Sequence, residues 1–465
     1  MKFERKNREM RHPPGPRGRD VWGFFGKGSV GGTLEFLANC AKSYGRISSF
    51  RLLHKRFYLV DDAELIRELL VTRQHEFVRD AGATLLRELV GDGLITREEP
   101  LHKERRRVLQ PAFHKDQVAA WADIMATEAG RLVEAWTLRS DFDIRAEMRR
   151  LTLGIVGATL FGADFGGSAQ QIAAVLERVA AKSRWLGPAF TLIEPLVLGY
   201  RKLAPRGPSL FFRPEREKLD RVVTPIIAER RKTGRRDILS LILTERSETG
   251  APLAQEDVRN ELVTFVLAGH ETTSAALTWT WYLLAGHPRV EECLHAELDR
   301  ALGGTDLPRL SDLSRLTYTA NVFKEAMRLF PPAALFARRP KRTTEVGGYR
   351  IQSGESIFLS PYITHRNPRY FEQPDQFLPE RWEQSAFPKF AYFPFGGGAK
   401  MCIGESFAQL EGVLALAILA SRYRLVRQEQ APPKLGDAFV LTSREPIRMK
   451  AVARKQHEQL QQKAG

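Results

Sequence analysis

The chain has 465 residues, 43% hydrophobic and 27% charged, which suits a folded protein with a large core and excludes a disordered or collagen-like one. Its formal net charge is +16, yet Lys and Arg are spread along the chain with no nucleic-acid motif beside them, so no nucleic-acid partner is expected. Cys40, Cys293 and Cys402 are odd in number and far apart, which excludes a disulfide framework and a clustered zinc or iron–sulfur site and favours a cytoplasmic protein. There is no Gly/Ser linker, low-complexity tract or internal repeat. We therefore expect a basic, proline-containing extension over residues 1–20, one domain over 21–455 and a polar tail over 456–465.

Taken in chain order, the N-terminal "MKFERKNREMRHPPGPRG" carries charges where a signal peptide needs an apolar stretch. "HKERRR" places His102 and Arg106 four apart on one helix face, a pattern more often found on a solvated basic face. An apolar segment at 185–200, continuing with Pro and Gly to 212, has the composition of a lid or of an ordinary surface loop.

The most apolar long run, 261–286, reads "ELVTFVLAGHETTSAALTWTWYLLAG". An acid at the centre of a bilayer would cost on the order of 2.5 kcal/mol or more, so Glu271 argues for a buried helix of a water-soluble fold, starting near Asp257 and stopped at Gly286 to Pro288. One face aligns Phe265, Ala268, Gly269, Thr272, Ala276 and Trp279, a strip of small residues between aromatic ones. Such a strip admits either a flat ligand or a close helix–helix contact. Further on, Glu325 and Arg328 lie one turn apart, a pairing that says little by itself.

Near the C-terminus, "PFGGGAKMCIGE" (394–405) crowds glycines around Cys402 just before a helical run. A thiolate ligand needs positive potential, which glycine-freed amides, a helix N-terminus and Lys400 would each supply. A phosphate-binding loop is the competing reading, but the Gly-Lys-Ser/Thr ending is missing.

Phe395 through Gly404 resembles the haem-binding loop of the cytochrome P-450 family, Phe-x-x-Gly-x-Arg-x-Cys-x-Gly, with Lys400 where arginine is usual. Lysine keeps the charge and loses the planar fork, so the contact to a haem propionate would be weaker or use a water. The segment 268–273 resembles the family's oxygen-activating turn, and Glu325-Ala-Met-Arg328 its Glu-x-x-Arg. "FLPERW" resembles the segment whose arginine, here Arg381, completes that ion network, with Trp382 for the usual Phe. His102 to Arg106 resembles the helix that holds a haem propionate in bacterial members. Arg338, beside Arg339, matches the other propionate arginine. The likeness runs over about residues 13–450.

The resemblance implies a mainly α fold with small β-sheets, with haem between the long central helix and the cysteine-loop helix. It implies a haem-thiolate monooxygenase that inserts one atom of O2 into a lipophilic substrate. Cys402 would ligate the iron of haem b, iron protoporphyrin IX; His102, Arg106, Arg338, Phe395, Gly398 and Lys400 would bind the cofactor. Thr272 and Glu271 would be catalytic, delivering protons for O–O cleavage, with a break in the helix beside Gly269 making room for oxygen.

By position in the family, parts of 81–96, 185–200, 332–336, 438–442 and the helix around Ala268 would line the pocket. Electrons would come ultimately from NAD(P)H through a separate ferredoxin or flavodoxin and its reductase, steered to Lys103, Arg105, Arg107 and Lys115. "PPGPRG" resembles the hinge after the anchor of microsomal members, but without that anchor only peripheral membrane contact by a monomer is expected. Two other classes stay open: a haem-thiolate enzyme that uses peroxide or rearranges an oxidised lipid, and a haem-binding sensor or carrier.

Overall fold

The structure is a computed structural model, and the description covers residues 12–28, 30–52, 55–138, 140–162, 209–233, 237–244, 252–303, 307–384, 386–436 and 440–454. Between 162 and 209 it covers 171, 172, 174, 175, 178, 179, 182, 193–201, 203 and 204. Residues 1–11 of the expected extension, the tail and much of the 185–212 segment lie outside the described residues.

Helices dominate, and the central one runs from Gln255 to Leu284. At about 1.5 Å per residue this is roughly 45 Å long. Of its 30 residues 22 are buried, which explains why its sequence shows an apolar run and not a one-sided stripe. It stops at Ala285 and Gly286, and Pro288 opens the next helix, Pro288–Leu302, at a position where the missing N–H costs nothing. Around it pack the helices Ala122–Leu138, Ile144–Phe161, Thr317–Leu329 and Glu405–Arg422, which share one continuous apolar core. Trp279, grouped in the sequence with the small-residue face, belongs to this core: it stacks on Phe330 at 4.2 Å and its indole N–H donates to the Leu441 carbonyl at 2.7 Å.

A five-stranded sheet stands beside the helices. Its strands are β1 (Ile47–Leu52), β2 (Lys55–Val60), β3 (Phe77–Arg79), β4 (Phe336–Pro340) and β5 (Ser356–Leu359), in the order β1-β2-β5-β4-β3. Only β2 and β5 run parallel; β3 and β4 pair antiparallel with Arg79 opposite Arg338. Because successive side chains alternate across a strand, this register sends Arg338 and Arg339 to different surroundings. A three-stranded sheet joins Asp141–Asp143, Arg448–Ala453 and Tyr423–Arg427. No helix of the described residues is long and apolar enough to cross a membrane.

Candidate functional site

A cavity of about 630 Å³ lies between the central helix and the Cys402 loop, a size typical of a small-molecule or cofactor site. Phe265, Ala268, Gly269, Thr272, Thr273 and Ala276 line it from the helix. Phe395, Gly396, Lys400, Met401, Cys402, Ile403 and Gly404 line it from the loop. His102, Arg106 and Arg338 also face it, so one cavity gathers residues from distant parts of the chain.

The loop is held by its backbone. Gly396 and Gly398 sit at φ +74° and +69°, the left-handed region that suits glycine. A Cβ on Gly398 would fall 1.8 Å from the Leu70 carbonyl oxygen. Gly398 therefore shapes the turn and, unlike Gly396, does not line the cavity. The Ala399 N–H donates to Gln74 Oε1 at 2.7 Å, and the Cys402 N–H to the Phe395 carbonyl at 3.0 Å.

Cys402 is exposed to the cavity and enclosed by protein elsewhere. Burial pushes its thiol up; the Gly404 amide and the Arg106 guanidinium pull it down, while Glu405 adds to the rise. The Lys400 ammonium, which the sequence offered as a further positive charge for this sulfur, is held by the Glu98 carboxylate. Coordination to a metal ion deprotonates such a thiol outright. Among the described residues no group of three or more His, Cys, Asp or Glu could hold a metal, so an ion here must bring its own ligands and take a single sulfur.

Cations crowd one end of the cavity. Arg106 donates to the Met401 carbonyl, which fixes the His102 helix, Leu101–Leu109, to the cysteine loop. His102 is buried with Nδ1 3.0 Å from Glu99 Oε1; burial first, and Arg79 second, hold its imidazole below the usual range. Arg338 donates to its neighbour's carbonyl, Ala337, at 3.1 Å, and burial lowers its pKa to about 10.

Strand alternation gives the two arginines different surroundings. Arg339 turns away to Glu194 at 2.8 Å and Asp80 at 3.1 Å, and only Arg338 lines the cavity. Arg79 also lines it. Sequence reasoning missed this residue, since only the β3–β4 register places it beside Arg338. Burial brings Lys400 down to about 8. Four cations and a histidine around the half-buried Glu98 make a seat for anionic groups.

On the opposite wall the central helix is unbroken through Gly269, so the expected break is absent. Instead Thr272 Oγ1 donates back to the Ala268 carbonyl at 2.6 Å, a bond that satisfies the hydroxyl within the helix. Gly269 serves both readings of the small-residue strip. It lines the cavity, and a Cβ there would sit 3.0 Å from Val156 Cγ2 of the helix Ile144–Phe161. Glu271 does not line the cavity; it faces Arg149 at 3.1 Å and His270 Nε2 at 3.6 Å.

Glu411 was also missed. It is fully buried, and burial pushes its carboxyl well above the usual range, against the pull of Thr273 beside it. An acid inside the apolar run 407–420 was the available signal.

Behind the site, Glu325 and Arg328 are completely buried and paired at 2.9 Å, and Arg381 joins Glu325 at 2.9 Å, as the sequence implied. Trp382 does more than fill the place of a Phe: its indole N–H donates to Glu325 Oε2 at 3.0 Å. Of the basic residues expected to meet a redox partner, Lys103, Arg107 and Lys115 are exposed, the first two on the helix that Arg106 ties to the cysteine loop. Arg105 is not part of that surface; it is buried against Glu261 at 3.3 Å and Asp257 at 3.7 Å, since its helix position points inward.

The expected apolar walls are found at 82, 83, 85, 86, 94 and 95, at 332–336, and at Val440 and Leu441, with Ile238 unforeseen. Residues 183–192 and 437–439 lie outside the described residues, and none of 193–200 lines the cavity.

With this geometry in place, comparison with known proteins adds the following. A family model described as cytochrome P450 matches residues 13–451. The cyclooctatin synthase of Streptomyces melanosporofaciens is 36% identical over 403 residues, covering 84% of this chain and 85% of the relative. The cyclooctat-9-en-7-ol 5-monooxygenase of the same organism is 33% identical over the same shares. The pentalenene oxygenase of Streptomyces avermitilis is 30% identical, covering 86% and 88%. Among solved structures, the cytochrome P450DA heme domain superposes with a TM-score of 0.82 at 26% identity, covering 97% of this chain and 99% of that one.

Proposed function

The chain belongs to the cytochrome P450 family and is a haem-thiolate monooxygenase, and on that premise we propose that Cys402 supplies the thiolate and that the substrate is an uncharged, cyclic, unsaturated lipophile. The residues present fit the cofactor: one sulfur with no metal-binding cluster among the described residues to compete with it, a tight glycine-shaped loop behind it, and cations for two carboxylates. When bound, the haem activates O2, so that with two electrons and two protons one oxygen atom enters a substrate C–H bond and the other leaves as water.

The protein's part is to hold and supply. Gly404 and Arg106 stabilise the Cys402 sulfur as an anion. Arg79, Arg106, Arg338 and His102 face the carboxylate end, and Phe395 forms part of the wall on the cysteine side. The Thr272 hydroxyl, at the cavity surface, holds a proton, and Glu271 behind it links that proton to the Arg149 side of the helix. Exposed Lys103, Arg107 and Lys115 form the docking face for a ferredoxin or flavodoxin that carries electrons from NAD(P)H. The protein acts as a cytoplasmic monomer, with residues 21–455 as its single domain.

The observation that carries the substrate class is the make-up of the cavity wall: its charged residues are the cations set out above and Asp80, which is paired with Arg339, while Leu85, Leu94, Ile238, Ala334 and Leu441 present apolar surface. The printed names of the relatives, an "en-7-ol" and "pentalenene", describe compounds of that kind. Titration of the haem protein with cyclic alkenes, their alcohols and straight-chain fatty acids, followed by the spin-state shift of the haem spectrum and by mass spectrometry of turnover products, tests it. Cyclic alkenes or alcohols should give the shift and a product heavier by one oxygen. A shift and product confined to fatty acids would overturn the substrate assignment.

A further inference from the structure

Lys400 stands where the family resemblance places an arginine for a haem carboxylate, yet its Nζ lies on Glu98 Oε2. The other oxygen of Glu98 accepts the Arg79 backbone N–H at 2.8 Å and sits 3.6 Å from Arg79 Nη1. The Glu98 backbone carbonyl accepts the His102 N–H at 3.0 Å. One residue thus joins β3, the start of the His102 helix and the cysteine loop.

Arg106 and Arg338 contrast with Lys400. Each spends a donor on a backbone carbonyl, Met401 and Ala337, and among the described residues neither pairs with a carboxylate. A guanidinium carries five N–H donors in a fixed fork, so both retain donors on the cavity side. Were Lys400 to move to a haem carboxylate, Glu98 would keep the Arg79 backbone N–H but lose its contacting cation, leaving the Arg79 guanidinium at 3.6 Å, at a desolvation cost. Two guanidiniums without a carboxylate match two cofactor carboxylates; the ammonium is already matched.

We infer that Glu98 is a positioning residue that retains Lys400 in the haem-loaded protein, so that Lys400 struts the cysteine loop to β3 while Arg106 and Arg338 take the haem carboxylates. This rests on the haem-thiolate reading above. A parent protein without haem, or without the thiolate spectrum, would sink that reading before any variant is compared.

The test uses the haem-loaded protein and two readouts: the rate of haem transfer to excess apomyoglobin, and the haem propionate bending bands in the resonance Raman spectrum. Lys400→Met and Glu98→Gln should each speed transfer by the same factor, roughly three- to fivefold for one partly exposed pair. The double variant should be no faster than either, and the propionate bands should stay in place in all three. Arg338→Leu should move those bands and speed transfer more than about tenfold. Lys400→Arg, able to reach the same carboxylate, should transfer haem at the parent rate, and its Raman bands can be read if Lys400→Met does not fold. A propionate band that moves in Lys400→Met or Lys400→Arg would overturn the inference. So would a double variant whose acceleration is the product of the singles.

Discussion

Replacing Glu325 by alanine probes the support of the site most sharply. Both residues of the Glu325–Arg328 pair are fully buried. Glu325 accepts five hydrogen bonds: from Arg328 Nη2 and Nε at 2.9 Å each, Arg381 Nε at 2.9 Å, the Leu378 N–H at 3.1 Å and Trp382 Nε1 at 3.0 Å. After Glu325→Ala, Arg328 would still hold the His365, Pro374 and Gln376 carbonyls, but as a buried cation without its counter-ion.

Removing one partner of such a pair costs about 3 to 5 kcal/mol, a large share of a typical stability of roughly 5 to 15 kcal/mol. Trp382→Phe removes one donor and leaves four, so it should cost about 1 kcal/mol. Because the two share an acceptor, the double variant should be no less stable than Glu325→Ala to within about 0.5 kcal/mol. Urea unfolding followed by far-ultraviolet circular dichroism at one protein concentration measures all three. A Glu325→Ala protein within about 1 kcal/mol of the parent, on the same scale of buried-pair costs, would show that the pair does not carry this load.

Two further outcomes follow from the distal wall. Thr272→Ala should still bind haem and consume NAD(P)H, but product formed per NAD(P)H should fall about tenfold or more with peroxide released instead, while Thr272→Ser keeps the hydroxyl and the coupling; equal coupling in Thr272→Ala and parent would place the proton path elsewhere. His270 is buried, with its pKa brought down to about 4 from 6.5 by burial, against the pull of Glu271. Between those values the unfolded chain binds a proton that the folded chain does not, so stability should fall as pH drops from 6.5 towards 4, by up to about 1.4 kcal/mol per pH unit. His270→Asn should flatten that slope in urea midpoints measured at pH 7 and pH 5, and an unchanged slope would refute the assignment.

The chemistry at the cysteine was legible because it depends on residues close in sequence: the glycines, Cys402 and the helix Glu405–Arg422 follow one another within thirty positions. The central helix was equally plain, since its length and apolar run survive without knowledge of neighbours. Arg79 was not legible, because a lone arginine acquires meaning only when strand register sets it opposite Arg338. Arg105 failed for the converse reason: the resemblance put the whole basic run of its helix on the partner-facing surface, whereas helical rotation turns this residue onto Glu261. The role of Lys400 depended on Glu98, about 300 residues away, which no local pattern links to it. The predicted break at Gly269 came from the resemblance; in the structure, the Thr272 hydroxyl bonds the Ala268 carbonyl within a continuous helix.

The most direct measurement of the central assignment is the carbon monoxide difference spectrum of the reduced protein. The parent, Cys40→Ala and Cys293→Ala should all show the red-shifted band of thiolate-ligated haem, since Cys40 is buried in the apolar core and Cys293 does not line the cavity. Cys402→Ser should lose that band even where haem is retained. A red-shifted band of normal intensity in Cys402→Ser would contradict the assignment of Cys402 as the axial ligand, and with it the reading of the cavity as a haem-thiolate site.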